Sequence, residues 1–325
     1  MSRGLVVGKF WPPHAGHHHL VATAASRVDE LVVVVGDSPG ETIPWPLRMA
    51  WLREAHPGVR VERIEDRWPG DSIGWAAACL AAFGRFDVVF TSEGYGDGFA
   101  AALGCRHECV DLARTRFPVS GSAVRADPWA CWAMLSPPVR AYYTCRVVIV
   151  GAESSGKTTL AARLAAHLGC AWVPEYGRTY CEDLLARGER VIDRAWASPE
   201  FEHIAARQAA DEEAAARASG GWLVCDTDAF ATAVWHEHYL GRPHPGLLAW
   251  RPPPSGARRL YLLASPDTPF VQDGLRDGEH RRAAMDARFS RLLEERGEAF
   301  VRISGGWKER WERVVGVVAA GKWGT

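Results

Sequence analysis

Two stretches of this chain hold residue types at spacings suited to phosphate chemistry. The first is Gly151-Ala152-Glu153-Ser154-Ser155-Gly156-Lys157-Thr158, which fits the pattern G-x-x-x-x-G-K-[ST] with nothing missing. Glycines in such a loop let backbone N–H groups turn inward on an anion, and the following helix adds the partial positive charge of its N-terminus. Lys157 is placed to reach the β- and γ-phosphates of a nucleoside triphosphate, and the Thr158 hydroxyl to hold Mg²⁺. Gly151, Ser154, Ser155, Gly156 and Thr159 complete the expected phosphate-binding surface. The second stretch is Lys9-Phe10-Trp11-Pro12-Pro13-His14-Ala15-Gly16-His17. His14 and His17 are three apart at a loop-to-helix junction, so one helical face can carry both. Two imidazoles at a helix N-terminus can donate hydrogen bonds to a phosphoryl group as it gains charge in transfer. Gly16 lets a ligand approach the backbone. His18 and His19 read as a packed or solvated helix face, because no acidic or cysteine partner stands near to make the run a metal site.

Other candidates lie at the ends of apolar runs. Trp222-Leu223-Val224-Cys225-Asp226-Thr227-Asp228 reads as a strand ending in two carboxylates. Asp226 and Asp228 are candidates to orient Mg²⁺ or accept a hydroxyl proton, and capping the next helix is the alternative for either. Glu175-Tyr176-Gly177-Arg178 sets acidic and basic groups at another strand terminus, where a kinase of this build would face its acceptor; a local helix-start salt bridge is the alternative. The segment from Gln272 to Arg282 combines glycines with Arg276, Arg281 and Arg282 and suggests a lid closing on phosphates; an exposed basic loop is the alternative. Ser120-Gly121-Ser122 at a helix start, with Arg125 one turn on, is a plausible anion cradle.

The elements that must position these groups alternate. Leu5–Val7, Leu31–Val35, Val59–Ile64, Val88–Phe90 and Glu108–Val110 read as strands, with helices from about His17 to Arg27, Pro46 to Ala55 and Ile73 to Phe83, the last capped by Ser72. Pro128 is expected to start a short helix that Ser136-Pro137-Pro138 breaks. A second series follows. It begins with the strand Arg146–Val150 and a helix from Thr159 to Leu168 that stops at Gly169. Strands at Ala171–Pro174, Leu260–Leu263 and Ala299–Ile303 belong to it too, with a closing helix from about Trp307 to Ala319. The long helix Pro199–Ala218 carries Asp211-Glu212-Glu213, read as a solvated face. The fold expected is α/β in two domains, residues 1–140 and 141–325, each a parallel sheet with ligands at the carboxyl ends of its strands.

Composition narrows the classes. The chain has 325 residues, 47% of them apolar, which suits two cores. A net charge of −1 gives no electrostatic case for nonspecific DNA or RNA binding. No apolar run is long enough to span a membrane, and Met1-Ser2-Arg3-Gly4 lacks a signal-peptide layout, so a cytoplasmic protein is expected. The eight cysteines contain no C-x-x-C pair and read as free thiols, although Cys105 and Cys109 flank His107. Fifteen tryptophans suggest core and groove residues, and Trp75 is singled out as one able to stack on a planar ligand. The sequence does not fix oligomeric state, and a homo-oligomer is compatible with it.

The stretch Gly8-x-Phe10-x-Pro12-x-His14-x-Gly16-His17 resembles the H-x-G-H signature of the nucleotidyltransferase superfamily. Phe117-Pro118-Val119-Ser120-Gly121-Ser122-Ala123-Val124-Arg125 looks like that superfamily's I-S-G-T-x-x-R segment, with valine and serine substituted. A nucleotidyltransferase followed by a P-loop kinase is similar to the NadR-type bifunctional enzymes. Gly151-x-Glu153-Ser154-Ser155-Gly156-Lys157-Thr158, Glu175-Tyr176-Gly177-Arg178, Asp226-Thr227-Asp228 and Asp273-Gly274-Leu275-Arg276 carry that resemblance, and Phe90-Thr91-Ser92-Glu93-Gly94-Tyr95-Gly96 adds to it. The resemblance implies a Rossmann-like adenylyltransferase domain joined to a ribosylnicotinamide kinase domain. ATP, nicotinamide riboside, nicotinamide mononucleotide (NMN) and NAD would be its ligands, and Mg²⁺ its cofactor. It implies that Lys9, Phe10, Ser122 and Arg125 bind the triphosphate with His14 and His17. In the kinase, Glu153, Arg276 and Arg281 would bind ATP, Thr158 and Asp226 the metal, and Glu175, Tyr176 and Arg178 the acceptor. Some members carry a helix-turn-helix segment in front. Here the first strand begins within a few residues of Met1, so DNA binding and gene repression are not expected. A fusion of phosphopantetheine adenylyltransferase with dephospho-coenzyme A kinase shares both motifs and stays open as an alternative, as does a non-catalytic nucleotide sensor.

Overall fold

A computed structural model describes residues 1–192, 194–273, 275 and 278–320. The chain divides into two compact units, Met1–Val139 and Arg140–Thr325. The first holds a parallel sheet of β1 (Arg3–Gly8), β2 (Glu30–Asp37), β3 (Arg60–Glu65), β4 (Val88–Thr91) and β5 (Arg106–Cys109), in the order β3-β2-β1-β4-β5. The run Leu31–Val35 shows why it is parallel and covered on both sides. Side chains alternate across a strand. Val33 and Val35 enter one core with Val6, Leu20, Val21 and Leu52, while Val32 and Val34 enter the opposite core with Leu5, Cys79 and Phe99. Burying each such side chain contributes about 1.5–3 kcal/mol. The alternating β3 lies at the edge, where its outer face meets water.

The second unit repeats the logic with β6 (Cys145–Val150), β7 (Ala171–Val173), β8 (Trp222–Asp226), β9 (Arg259–Ala264) and β10 (Phe300–Ile303), ordered β10-β9-β6-β8-β7 and all parallel. Val148 and Val150 pack on one side, Val147 and Ile149 on the other. In both sheets the order of strand addition reverses beside the central strand. Ligand crevices open at the carboxyl ends of strands at such a reversal.

Three local expectations are corrected. Asp71, not Ser72, caps the helix Ser72–Phe83, its carboxylate accepting from the N–H groups of Ile73 and Gly74. Pro128 opens a turn rather than a helix, and Pro137 and Pro138 begin the helix Pro137–Tyr143, where the first turn tolerates a missing N–H. Glu212 is not on a solvated face. It is 5% exposed and takes Arg146 at 2.9 Å together with Arg259. A buried carboxylate needs such partners, and a lone acidic triplet does not reveal which of its members turns inward.

Candidate active sites

In the first unit the cleft lies beyond the ends of β1 and β4 and has a volume of about 760 Å³. Phe10, with φ of 47°, turns the chain sharply out of β1 and buries its ring edge-on to His17 at 5.1 Å. His14 then sits just ahead of the helix Ala15–Ala25. The rings of His14 and His17 stack at 3.7 Å, which their three-residue spacing allows. Burial lowers the His14 pKa to about 4, with His18 and Arg114 adding repulsion, and burial also holds His17 well below its usual value. Both imidazoles are therefore neutral at pH 7. Gly16 lines the same wall, and a methyl group there would lie 3.2 Å from the His14 ring. His18 turns to His56, with ring nitrogens 3.0 Å apart, as a packed face would.

The opposite walls supply charge. Lys9 Nζ donates to Ser38 Oγ at 2.8 Å and pairs with Glu41 at 3.3 Å and Asp66 at 3.7 Å. Asp66 also accepts from the indole N–H of Trp75 at 3.0 Å, which fixes that ring against the cleft. Arg125 donates to Ser122 Oγ at 3.1 Å and to the Trp11 carbonyl, and its guanidinium lies 3.8 Å above the Trp11 ring. The structure thus brings Lys9, Phe10, His14, His17, Trp75, Ser122 and Arg125 to one cleft. Sequence reasoning missed Arg48. It is fully buried and donates to the carbonyls of Lys9 at 2.6 Å and Gly36 at 3.1 Å, tying two strand exits together. Nothing in its helix marked it apart from an arginine at an inward-facing position.

In the second unit the glycine loop joins β6 to the helix Lys157–Leu168. Gly156 has φ of 82°, and a Cβ there would lie 2.6 Å from the Trp307 ring, so only glycine fits. Lys157 is 6% exposed, and its ammonium folds back on the Ala152 carbonyl at 2.9 Å. Thr158 Oγ1 donates to Asp226 Oδ2 at 2.5 Å. Asp226 Oδ1 is buried and has no hydrogen-bond partner among the described residues. Burial raises the Asp226 pKa, while Lys157 and the Thr158 hydroxyl oppose the rise. An acceptor oxygen left open beside a threonine hydroxyl suits a hard divalent cation completed by phosphate oxygens and water. Among the described residues no three His, Cys, Asp or Glu side chains cluster as a metal site, so the Cys105-His107-Cys109 spacing does not build one.

Glu175 faces the same cleft, whose volume is about 190 Å³. Burial pushes its pKa up to about 7; Asp226 and Glu153 add to the rise, and Lys157 and Arg178 oppose it. Glu153, Ser154, Ser155, Thr158, Thr159 and Arg178 also line the cleft. Three expectations change here. Asp228 is fully buried and held by Tyr261 at 2.7 Å, Arg259 at 3.2 Å and the N–H of Ala231 at 3.1 Å, so it caps and braces rather than reaching a ligand. Tyr176 stands outside the lining, with its hydroxyl 3.3 Å from His203. Arg281 is exposed, beside His280 and also outside the lining, and Arg276 lies outside the described residues. An aromatic wall of Trp196, Phe201, Trp235 and Tyr239 completes the cleft. Sequence reasoning missed it, because these residues come from separate segments and only their convergence distinguishes them from core aromatics.

Residues 146–310 match the family model described as an AAA domain. The chain is 29% identical to the trifunctional NAD biosynthesis/regulator protein NadR of Escherichia coli (strain K12), over 92% of this chain and 78% of that protein. It is 36% identical to the nicotinamide-nucleotide adenylyltransferase of Pyrobaculum neutrophilum, over 29% of this chain and 59% of that relative. A crystal structure of NadR protein in complex with NR superposes with a TM-score of 0.73 at 20% identity, covering all of this chain and 98% of that one. Another, of NadR protein in complex with NAD and AMP-PNP, gives 0.71 at 21% identity, covering 98% and 95%. These two likenesses show the shared fold. Through residues 146–310 the chain belongs to the AAA domain family; over 92% of its length it is similar to NadR, and it is a bifunctional enzyme, a nucleotidyltransferase and a kinase in one polypeptide.

Proposed function

We propose that the second unit phosphorylates nicotinamide riboside with ATP and that the first unit adenylylates the resulting NMN with ATP to give NAD and pyrophosphate. The observation that carries this reading is the pairing, in one cleft, of a phosphate-gripping loop with an aromatic wall. Trp196, Trp235 and Tyr239 offer π faces to a cationic pyridine ring. The buried indole N–H groups of Trp196 and Trp235 have no protein partner among the described residues, which suits a ligand rich in hydroxyl and carbonyl oxygens. Pantetheine, a flexible chain without a ring, would leave that wall unused.

In the kinase step the 5′-hydroxyl oxygen of the riboside bonds to the γ-phosphorus. The bond from that phosphorus to the β–γ bridging oxygen breaks, ADP leaves, and Glu175 takes the hydroxyl proton. Lys157 holds the phosphates in line, so most of the rate comes from positioning and charge neutralisation. Thr158 and Asp226 would hold Mg²⁺, which when bound neutralises phosphate charge. In the adenylyl step a phosphate oxygen of NMN bonds to the α-phosphorus and the bond to the β-phosphate oxygen breaks. His14 and His17 donate to the α-phosphoryl oxygens as charge grows there, and Lys9, Ser122 and Arg125 hold the leaving pyrophosphate. The attacking phosphate is already ionised, so no base is needed. Gene repression is not part of this reading. Among the described residues no helix is long and apolar enough to cross a membrane.

The direct test is to incubate the protein with Mg-ATP and nicotinamide riboside and to follow masses. NMN should appear first and NAD after it; consumption of pantetheine compounds instead would overturn the reading. A second test addresses Glu175. Its carboxyl group must be ionised to accept a proton, and its pKa is raised to about 7. The kinase kcat/KM should therefore rise with pH through about 7 and level above it. Glu175→Gln should lower it by about 10²-fold or more and remove that acid limb. A Glu175→Gln enzyme with the same pH profile as the native one would give the proton to another group.

A further inference from the structure

The glycine loop works only if its N–H groups point at the phosphates, and the loop cannot arrange this alone. A peptide unit is planar and trans, so its N–H and C=O point in opposite directions. Whatever grips a loop carbonyl from outside therefore turns the next residue's N–H toward the cleft. Two loop carbonyls are gripped in this way, in both cases by residues far along the chain. Arg310 is fully buried, and its Nη1 donates to the Ser155 carbonyl at 3.0 Å. Its remaining donors are anchored on the Ser265 carbonyl at 2.7 Å, the Gly305 carbonyl at 2.8 Å and the Asp267 carboxylate. Arg282, 6% exposed, donates through Nη2 to the Ser154 carbonyl at 3.1 Å and the Thr268 carbonyl at 2.9 Å. Thr268 Oγ1 donates to that same Ser154 carbonyl at 2.7 Å.

We propose that Arg310, Arg282 and Thr268 are positioning residues of the kinase. By holding the carbonyls of Ser155 and Ser154 they aim the N–H groups of Gly156 and Ser155 at the nucleotide's phosphates. Both of those residues line the cleft. The clamp also maintains the backbone that needs it. Ser154 has φ of 54°, which a serine adopts only when its surroundings impose it, and Gly156 follows at 82°. Amides directed inward along such a turn form an anion-binding concavity. None of the three side chains lines the cleft itself, so they act through the loop rather than on the ligand. Arginine suits the task because its rigid fork reaches several acceptors at once; lysine offers a single point charge.

This inference rests on the second unit's binding a nucleotide through that loop, so its test reads binding rather than turnover. ADP and adenosine are titrated into the full chain and into Arg310→Met. ADP affinity should fall by about 10- to 100-fold, the worth of a loop hydrogen bond to a charged phosphate, while adenosine affinity stays as in the native protein. Equal loss for both ligands would mean that the pocket had merely collapsed, and ADP affinity unchanged in a folded variant would mean that the loop needs no clamp. Either result overturns the proposal. If Arg310→Met does not fold, Thr268→Val decides: about 5-fold weaker ADP binding, the worth of one hydrogen bond, supports the clamp, and native affinity overturns it. A native protein that bound ADP yet phosphorylated no riboside would sink the kinase reading and leave the clamp standing.

Discussion

Lys157→Ala should reduce riboside phosphorylation by at least about 10²–10³-fold, the usual loss when one preorganised charge-stabilising donor is removed. Adenylyl transfer from supplied NMN should be untouched. The expected loss is large because Lys157 does two things. Its ammonium is buried next to the loop, where a charge is poorly screened and acts strongly on phosphates. It is also the leading opposing charge that keeps the pKa values of Glu175 and Asp226 from rising further. Without it both carboxyl groups hold their protons more tightly, so the proposed proton acceptor and the proposed metal-binding oxygen weaken along with phosphate binding. The acid limb of the kinase profile should accordingly move to higher pH in whatever activity remains. Separate assays of the two steps on the same preparation decide the matter. Loss of both activities in a variant that melts like the native protein would show that the two steps do not use separate sites.

The sequence made some of this legible because local chemistry and local conformation coincide. The glycine loop is a contiguous pattern whose backbone geometry is dictated by its own residues, so Gly156, Lys157 and Thr158 stand where expected. His14 and His17 are likewise joined by helical spacing, and the strand Leu31–Val35 announces its two covered faces. Asp226 and Asp228 show the limit. Two residues apart at one strand end, they are equivalent on paper, yet one opens to the loop and the other is enclosed by Tyr261 and Arg259. Thr227 between them has φ of 66°, a turn that β-branched residues rarely make and that spacing does not foretell. Glu212, Arg310 and the aromatic wall failed to stand out for a related reason. Each gains its role from partners tens of residues away, and tertiary contact alone separates a buried charge from a solvated one.

His14→Ala should produce the opposite pattern, with adenylyl transfer cut by about 10²–10³-fold and riboside phosphorylation preserved. At pH 7 burial keeps His14 neutral, with its pKa lowered to about 4. A neutral imidazole carries one N–H, and its Nδ1 has no partner among the described residues. In the proposed reaction that N–H is the donor that meets the α-phosphoryl oxygen as charge accumulates there. A donor that is already neutral and already oriented needs no reorganisation when the bond forms. Because the group titrates far below neutrality, His14 should add no limb to native adenylyl transfer between about pH 6 and 8, unlike Glu175 in the kinase step with its limb near 7. His14→Asn keeps a side-chain N–H near that place and should recover part of the loss, whereas alanine also removes the ring against which His17 stacks at 3.7 Å. An alanine variant that adenylylates NMN at the native rate would remove the stacked imidazoles from the chemistry and leave phosphate binding by Lys9 and Arg125 as the whole of that site's work.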